Sequence, residues 1–162
     1  MTLRRTALTT ALLAGLLMVG GTATAQPTTG TPPTTTTTTE HDVVETFVDV
    51  APSCEEGAPL YTITTTSNRI AHETIFADGR VHSTFTDTGT FSADPLDDAS
   101  LPSYTGKFTV WGGFNANGKT VNGTFTFSVH GSGSDGSTLS NHVTEHFNQL
   151  PDGTVHEFFK CH

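Results

Sequence analysis

The feature that most constrains the fold is a hairpin pattern that occurs twice. Residues 72–85 and residues 146–159 both follow His-x5-Asp-Gly-x-Val-His, with a phenylalanine three residues after the second histidine. Asp-Gly between two alternating segments is typical of a tight β-turn. The simplest geometry is a three-residue loop in which Gly79 or Gly153 takes the left-handed conformation. Both stretches are therefore predicted to be antiparallel hairpins.

This loop geometry predicts the register of each hairpin. Phe76 is expected to pair with Arg80, and Leu150 with Thr154. The two histidines of each hairpin then share one face as diagonal neighbours, about 7–8 Å apart at their roots. The two pairs are His72 with His82 and His146 with His156.

These histidines are the candidate metal ligands, because neutral imidazole is the commonest metal ligand in proteins. The chain has no helical His-x-x-x-His motif and no mixed Cys/His spacing, so the pattern favours solvent-facing histidines. A ligand-contacting role and a Zn²⁺ or Cu²⁺ site are the alternatives. No metal or other cofactor is predicted; a metal, if bound, would have these ligands: His72, His82, His146 and His156.

Residues 1–25 are predicted to be a secretory signal peptide. Arg4 and Arg5 form its charged beginning, residues 7–19 are apolar, and a small-x-small cleavage site ends at Ala25. The apolar run is too short for an ordinary membrane span, and no later segment supplies one. The protein is therefore expected to be secreted, by the general secretory route rather than the twin-arginine route.

The remaining chain divides at residue 40. Residues 26–40 are rich in Thr and Pro, without apolar periodicity, which predicts a disordered stalk. Residues 41–162 have the size of one domain. Loss of the signal peptide leaves five of the seven basic residues against all 16 acidic residues. Such an acidic chain repels phosphates and anionic headgroups, so nucleic acid and membrane surfaces are not predicted partners.

The domain is predicted to be all-β. It alternates polar and apolar residues with Gly, Asp, Asn and Pro at the breaks, and it shows no sustained helical period. Short turns favour antiparallel neighbours. The prediction is a small antiparallel up-and-down β-barrel of seven or eight strands with one disulfide. The strand segments are Asp42–Val50, Leu60–Phe76, Val81–Ser92, Tyr104–Phe114, Val121–His130, Leu139–Leu150 and Thr154–Cys161.

Cys54 and Cys161 are the only cysteines, and in an exported chain they predict a structural disulfide. The bond would close a loop of more than a hundred residues, worth about 4–5 kcal/mol in the chain-entropy model. The Cα atoms of the two cysteines must lie within about 7 Å of each other. An odd number of alternating strands allows this, because it brings both cysteines to the same end of the fold. The disulfide therefore favours seven strands, with Leu60–Phe76 as one long strand.

The last three strands are predicted to have one apolar and one polar face. A turn at residues 134–136 would place Phe127 opposite Val143 and Phe125 opposite Glu145. The polar face, which carries the histidines, would then be the outside of a barrel or the lining of a polar lumen.

Glu145 and Glu157 fall on the apolar face as diagonal neighbours. Two carboxylates in an apolar lumen would raise one pKa and could act as general acid and base. Wet, ionised carboxylates near a barrel mouth are the favoured alternative, because burying an unpaired carboxylate is costly.

Two stretches carry a resemblance to known proteins. Tyr104-Thr-Gly-Lys-Phe-Thr-Val-Trp-Gly-Gly-Phe and Asn122-Gly-Thr-Phe-Thr-Phe-Ser-Val-His-Gly-Ser-Gly-Ser-Asp-Gly-Ser resemble a group of small exported actinobacterial proteins of unknown function. The likeness covers most of residues 45–161. The Gly-rich rhythm of strands and turns also resembles the barrel of allene oxide cyclase and its calycin-type relatives. These resemblances imply compartment and fold, and they supply no activity.

The expected function is that of a non-enzymatic binding domain outside the cell. The predicted stalk, the acidic surface and the barrel class favour a small apolar ligand or an extracellular partner. One alternative is an isomerase or cyclase-like enzyme that uses Glu145 and Glu157 in an apolar lumen. The other is a His-rich extracellular metal-binding protein.

Overall fold

A computed structural model describes residues 32–50 and 57–161. These residues form seven β-strands and no helix. None of the described residues therefore belongs to a helix that could cross a membrane. The strands are β1 (Thr34–Val50), β2 (Leu60–Ile75), β3 (Val81–Pro95), β4 (Tyr104–Ala116), β5 (Val121–Gly133), β6 (Thr138–Gln149) and β7 (Val155–Cys161).

The seven strands form one antiparallel meander in which each strand pairs with the next along the chain. The all-β prediction and the count of seven are confirmed, and β2 is a single long strand. Both repeated hairpins have the predicted loop: the Phe76 amide donates to the Arg80 carbonyl, and the Leu150 amide to the Thr154 carbonyl. The loop glycines have φ values of +81° and +84°. Local turn chemistry therefore sets the register, as predicted.

The prediction of a barrel is wrong, because the sheet is open. Within the described residues, β1 pairs only with β2 and β7 pairs only with β6. Alternation and turn residues are the same in an open and a closed meander, so they do not determine closure. Closure depends on whether the free edges of β1 and β7 meet, and these strands lie at opposite ends of the sheet order.

The core lies on one face of this sheet, which we call the inner face. Its buried residues come from β2 to β6 and include Tyr61, Phe91, Phe108, Val110 and Val129. The rings of Phe47, Phe85 and Phe127 pack against them. The predicted pairs Phe127–Val143 and Phe125–Glu145 are confirmed. The histidine-bearing face is thus the opposite one, which we call the outer face.

β1 begins at Thr34, within the stretch that the sequence assigns to the stalk. Thr34–Glu40 pairs with the second half of β2, and Thr37 Oγ1 lies 2.8 Å from Nδ1 of His72. A bulge between Glu40 and Val43 interrupts the register, with Asp42 at a φ of +52°. Threonine has high β-propensity, and cross-strand Thr pairs stabilise a sheet, which accounts for the longer strand.

Several predictions concern residues outside the described part of the chain. The signal peptide, residues 26–31 of the stalk and Cys54 belong to residues 1–31 and 51–56. The disulfide with Cys161, which ends β7, therefore stays a prediction.

Candidate functional site

The outer face carries aligned rows of polar side chains. Because adjacent strands are paired without slips from β2 to β7, residues of equal register form rows across the sheet. Three neighbouring rows cross β3, β4 and β5 near the turn that joins β4 to β5. They read His82–Asn115–Asn122, Thr84–Gly113–Thr124 and Thr86–Trp111–Thr126.

These rows surround an open groove of about 680 Å³. Gly113 lies at the centre of the groove and has no side chain, so backbone atoms form the floor of the groove there. Trp111 and Asn115, two residues away on β4, bound it along the strand, while Thr84 and Thr124 flank it. Among the described residues, no Asp, Glu, Lys or Arg lines this hollow at Gly113. The site is therefore an uncharged hollow in a chain that carries 16 acidic residues.

Close packing of the strands explains why position 113 is a glycine. A Cβ atom there would lie 2.5 Å from the carbonyl oxygen of Ser83 on β3. Real Cβ atoms do not approach a backbone oxygen so closely, so any other residue would displace β3 or β4. The hollow is thus fixed by strand packing.

A chain of hydrogen bonds orients the polar groups beside the hollow. Nδ1 of His82 lies 2.8 Å from Oδ1 of Asn115, whose Nδ2 donates at 3.4 Å to Oδ1 of Asn122. In a neutral imidazole, donation from Nδ1 makes Nε2 an acceptor. The row therefore ends in an acceptor nitrogen on His82 and a donor amide on Asn122.

Trp111 is the only tryptophan of the chain and one of its exposed large apolar residues, at 54% exposure. Its cross-strand partner, Thr126, is buried although it belongs to the polar face. An indole ring presents a flat apolar surface with a negative π-face. Trp111 thus supplies an exposed apolar wall of the groove, whose lining also includes Phe85 and Phe147.

A second hollow, of about 420 Å³, adjoins the first at the turn end. His82, Asn115 and Asn122 line both. The guanidinium of Arg80 lies 4.9 Å from the ring centre of Phe76 in its lining. The two hollows form a continuous groove that runs toward the β2–β3 and β4–β5 turns.

The four predicted histidines lie on the outer face as two separate pairs. His72 and His82 are diagonal neighbours, as are His146 and His156. The two hairpins are far apart: His72 and His146 share a row but lie four strands apart, roughly 19 Å at the usual strand spacing. Among the described residues, no group of three or more His, Cys, Asp or Glu side chains could hold a metal ion. Of these four histidines, only His82 and His146 line the groove.

Glu145 and Glu157 are diagonal neighbours on the inner face, as the register predicts. Glu145 is buried, with 6% exposure, and its Oε1 has no hydrogen-bond partner in the part of the chain that the structure describes. Burial raises the pKa of Glu145, and the charge of Glu157 adds to this effect. Glu157, on the edge strand β7, is exposed. Only one of the two carboxylates therefore lies in apolar surroundings.

A charged network on the inner face was not foreseen from the sequence. Arg69 on β2 donates to Oδ2 of Asp87 on β3 at 2.8 Å, and its Nη atoms donate to Glu45 on β1. These hydrogen bonds raise the pKa of Arg69 further above its ordinary value, Glu45 contributing most. Counting in steps of two from Ile63 would have placed Arg69 on the inner face, but no pattern shows which acids meet it.

Comparison with protein-family models, with curated proteins and with solved structures gives no significant match to this chain. The resemblances to exported actinobacterial proteins and to allene oxide cyclase stay predictions.

Proposed function

We propose that this chain is an exported, non-enzymatic binding domain whose extracellular ligand docks in the outer-face groove. The observation that carries the proposal is the uncharged hollow at Gly113, which lies between an exposed tryptophan and oriented polar side chains. Binding sites combine apolar surface with a few placed polar groups, and this hollow has both. Export rests on the predicted signal peptide.

The groove supports a docked ligand better than the inner face does. On the inner face the phenylalanines pack into the core, where Phe108 is buried and Phe47, Phe85 and Phe127 pack against the buried cluster. Most of the groove side chains are exposed, so they make few packing contacts within the core. They are free to bind a ligand without loss of core packing.

The fluorescence of Trp111 gives a direct test, since the chain has no other tryptophan. We expect one class among neutral polysaccharides, acidic polysaccharides, short peptides and small apolar compounds to change its emission saturably. Trp111→Ala should weaken that binding about tenfold or more in calorimetry, as truncation of an aromatic anchor does. The proposal fails if no class changes the emission, or if every binder is unaffected by Trp111→Ala.

A second candidate function is favoured by Glu145. A buried carboxyl with a raised pKa is the kind of group that serves as a general acid or base. This carboxyl would support an isomerase or cyclase-like reaction at the inner face, with Glu157 nearby on the edge strand β7. Turnover of a candidate substrate that survives in Glu145→Gln at the wild-type rate would remove this candidate.

A further inference from the structure

We infer that the outer-face groove binds a neutral polysaccharide, with a sugar ring stacked on Trp111. This inference rests on the proposed binding function and names the ligand class of the same site. Four properties of the described residues support it: the aromatic wall, the polar partners, the absence of charge and the open shape.

The aromatic wall fits the apolar side of a sugar. A pyranose ring carries C–H groups on its faces and hydroxyls around its edge. Its C–H groups can lie against the electron-rich face of an indole, a weak attraction added to the burial of apolar surface. Trp111 is more than half exposed and therefore has ring surface to offer.

The polar partners fit the hydroxyls at the ring edge. Each hydroxyl both donates and accepts, so it is best met by paired donors and acceptors. The row His82–Asn115–Asn122 offers an acceptor at one end and an amide donor at the other. Across the groove, Thr124 Oγ1 lies 2.6 Å from Nδ1 of His146, which orients that imidazole as well.

The lack of charge separates neutral from anionic ligands. Among the described residues, no Lys or Arg that could pair with a carboxylate or sulfate lines the hollow at Gly113, and the chain as a whole is acidic. Arg80, in the adjoining hollow, is already paired with Asp78. A polyanion would be repelled at long range and would find no counter-charge in the hollow at Gly113. An apolar molecule would strip water from His82, Asn122 and Thr124 without replacing their hydrogen bonds.

The open shape fits a chain rather than a single small molecule. The groove is open to solvent and reaches from His82 on β3 to His146 on β6, about 14 Å at the usual strand spacing. The adjoining hollow extends it toward Arg80. A protein partner would need a larger apolar contact than Trp111 and the partly buried Phe85 and Phe147 supply.

Native electrophoresis in gels that contain a soluble polysaccharide tests the inference. The neutral probes are hydroxyethylcellulose, glucomannan and laminarin, and the anionic control is polygalacturonate. We expect at least one neutral probe to retard the full chain and to change Trp111 emission saturably. Trp111→Ala should weaken that binding about tenfold or more, and Trp111→Phe should weaken it less, because a smaller ring remains.

The matched control is Phe159→Ala, which removes an exposed aromatic ring from the opposite face. It should leave retardation unchanged, and circular dichroism checks the fold of each variant. Retardation that persists in folded Trp111→Ala overturns the site. If peptides or apolar compounds change Trp111 emission while no neutral polysaccharide binds, the ligand class is overturned and the binding function stands. If no class binds, both are overturned.

Discussion

Arg69 and Asp87 face each other across β2 and β3, joined by a 2.8 Å hydrogen bond on the inner face of the sheet. The Asp87 side chain is 9% exposed and that of Arg69 is 28% exposed. Oδ1 of Asp87 has no partner among residues 32–50 and 57–161, so within this part of the chain the bond to Arg69 and the strand pairing hold the carboxylate in place. The network with Glu45 links β1, β2 and β3 through one guanidinium.

Loss of the Asp87 carboxylate should destabilise the fold. Asp87→Ala removes the more buried of the two carboxylates that pair with Arg69 and leaves Glu45 as the remaining partner, so the loss is that of a charged hydrogen bond, about 1.5–3 kcal/mol. We expect Asp87→Ala to lower the free energy of unfolding by this order in urea titration. Arg80→Ala is the control, because the pair of Arg80 with Asp78 is exposed on both sides. It should have a much smaller effect, and equal losses in the two variants would contradict the network's role.

Glu145 should make stability depend on pH. Its pKa is raised above the ordinary value of 4.5 by burial first and by Glu157 second. The folded chain therefore holds the proton more tightly than the unfolded chain does. The resulting stabilisation is fully present below about pH 4.5 and is lost as the pH rises through the raised folded pKa.

The variant Glu145→Gln removes this proton-linked term. It should gain stability relative to the wild type as the pH rises from about 4.5 toward neutral. Urea titrations at several pH values measure the difference. Glu157→Gln is the companion variant, since it should lower the pKa of Glu145 in a carboxyl NMR titration. A constant difference between wild type and Glu145→Gln across this range would refute the prediction.

The loop glycine of the second repeated hairpin should be needed for its conformation alone. Gly153 has a φ of +84°, and a Cβ atom there would meet nothing within 4 Å. Gly153→Ala should therefore cost only the left-handed penalty, about 1–2 kcal/mol. Gly153→Asn should recover part of it, because asparagine tolerates this region. Thermal melts compare the three proteins, and equal melting temperatures for Ala and Asn would speak against this account.

The early part of β1 should contribute to stability. Thr34–Glu40 pairs with the second half of β2, and its removal would leave that half as an exposed edge. A chain that starts at His41 should melt at a lower temperature than one that starts at Pro32. Equal melting temperatures would show that this pairing adds nothing. The comparison shows whether Thr34–Glu40 acts as a strand of the sheet or as a disordered stalk.

Local sequence patterns were enough to predict the strands, the turns and the two faces of the sheet. Asp78-Gly79 and Asp152-Gly153 set three-residue loops, and alternation then fixed the pairing of Phe127 with Val143. These features depend on neighbours within a hairpin, so a local pattern is enough to predict them. The limits of β1 were less predictable, because a run of threonines suits both a disordered segment and a strand.

Contacts between side chains of three or more strands are visible only in the folded sheet. The groove at Gly113 needs β3, β4 and β5 in register, and the contact of Arg69 with Glu45 and Asp87 needs β1, β2 and β3. The opening of the sheet depends on two strands that lie at its opposite edges. Such arrangements follow from how twist and packing add up over the whole sheet, and alternation, which records only the face of each residue, does not contain that information.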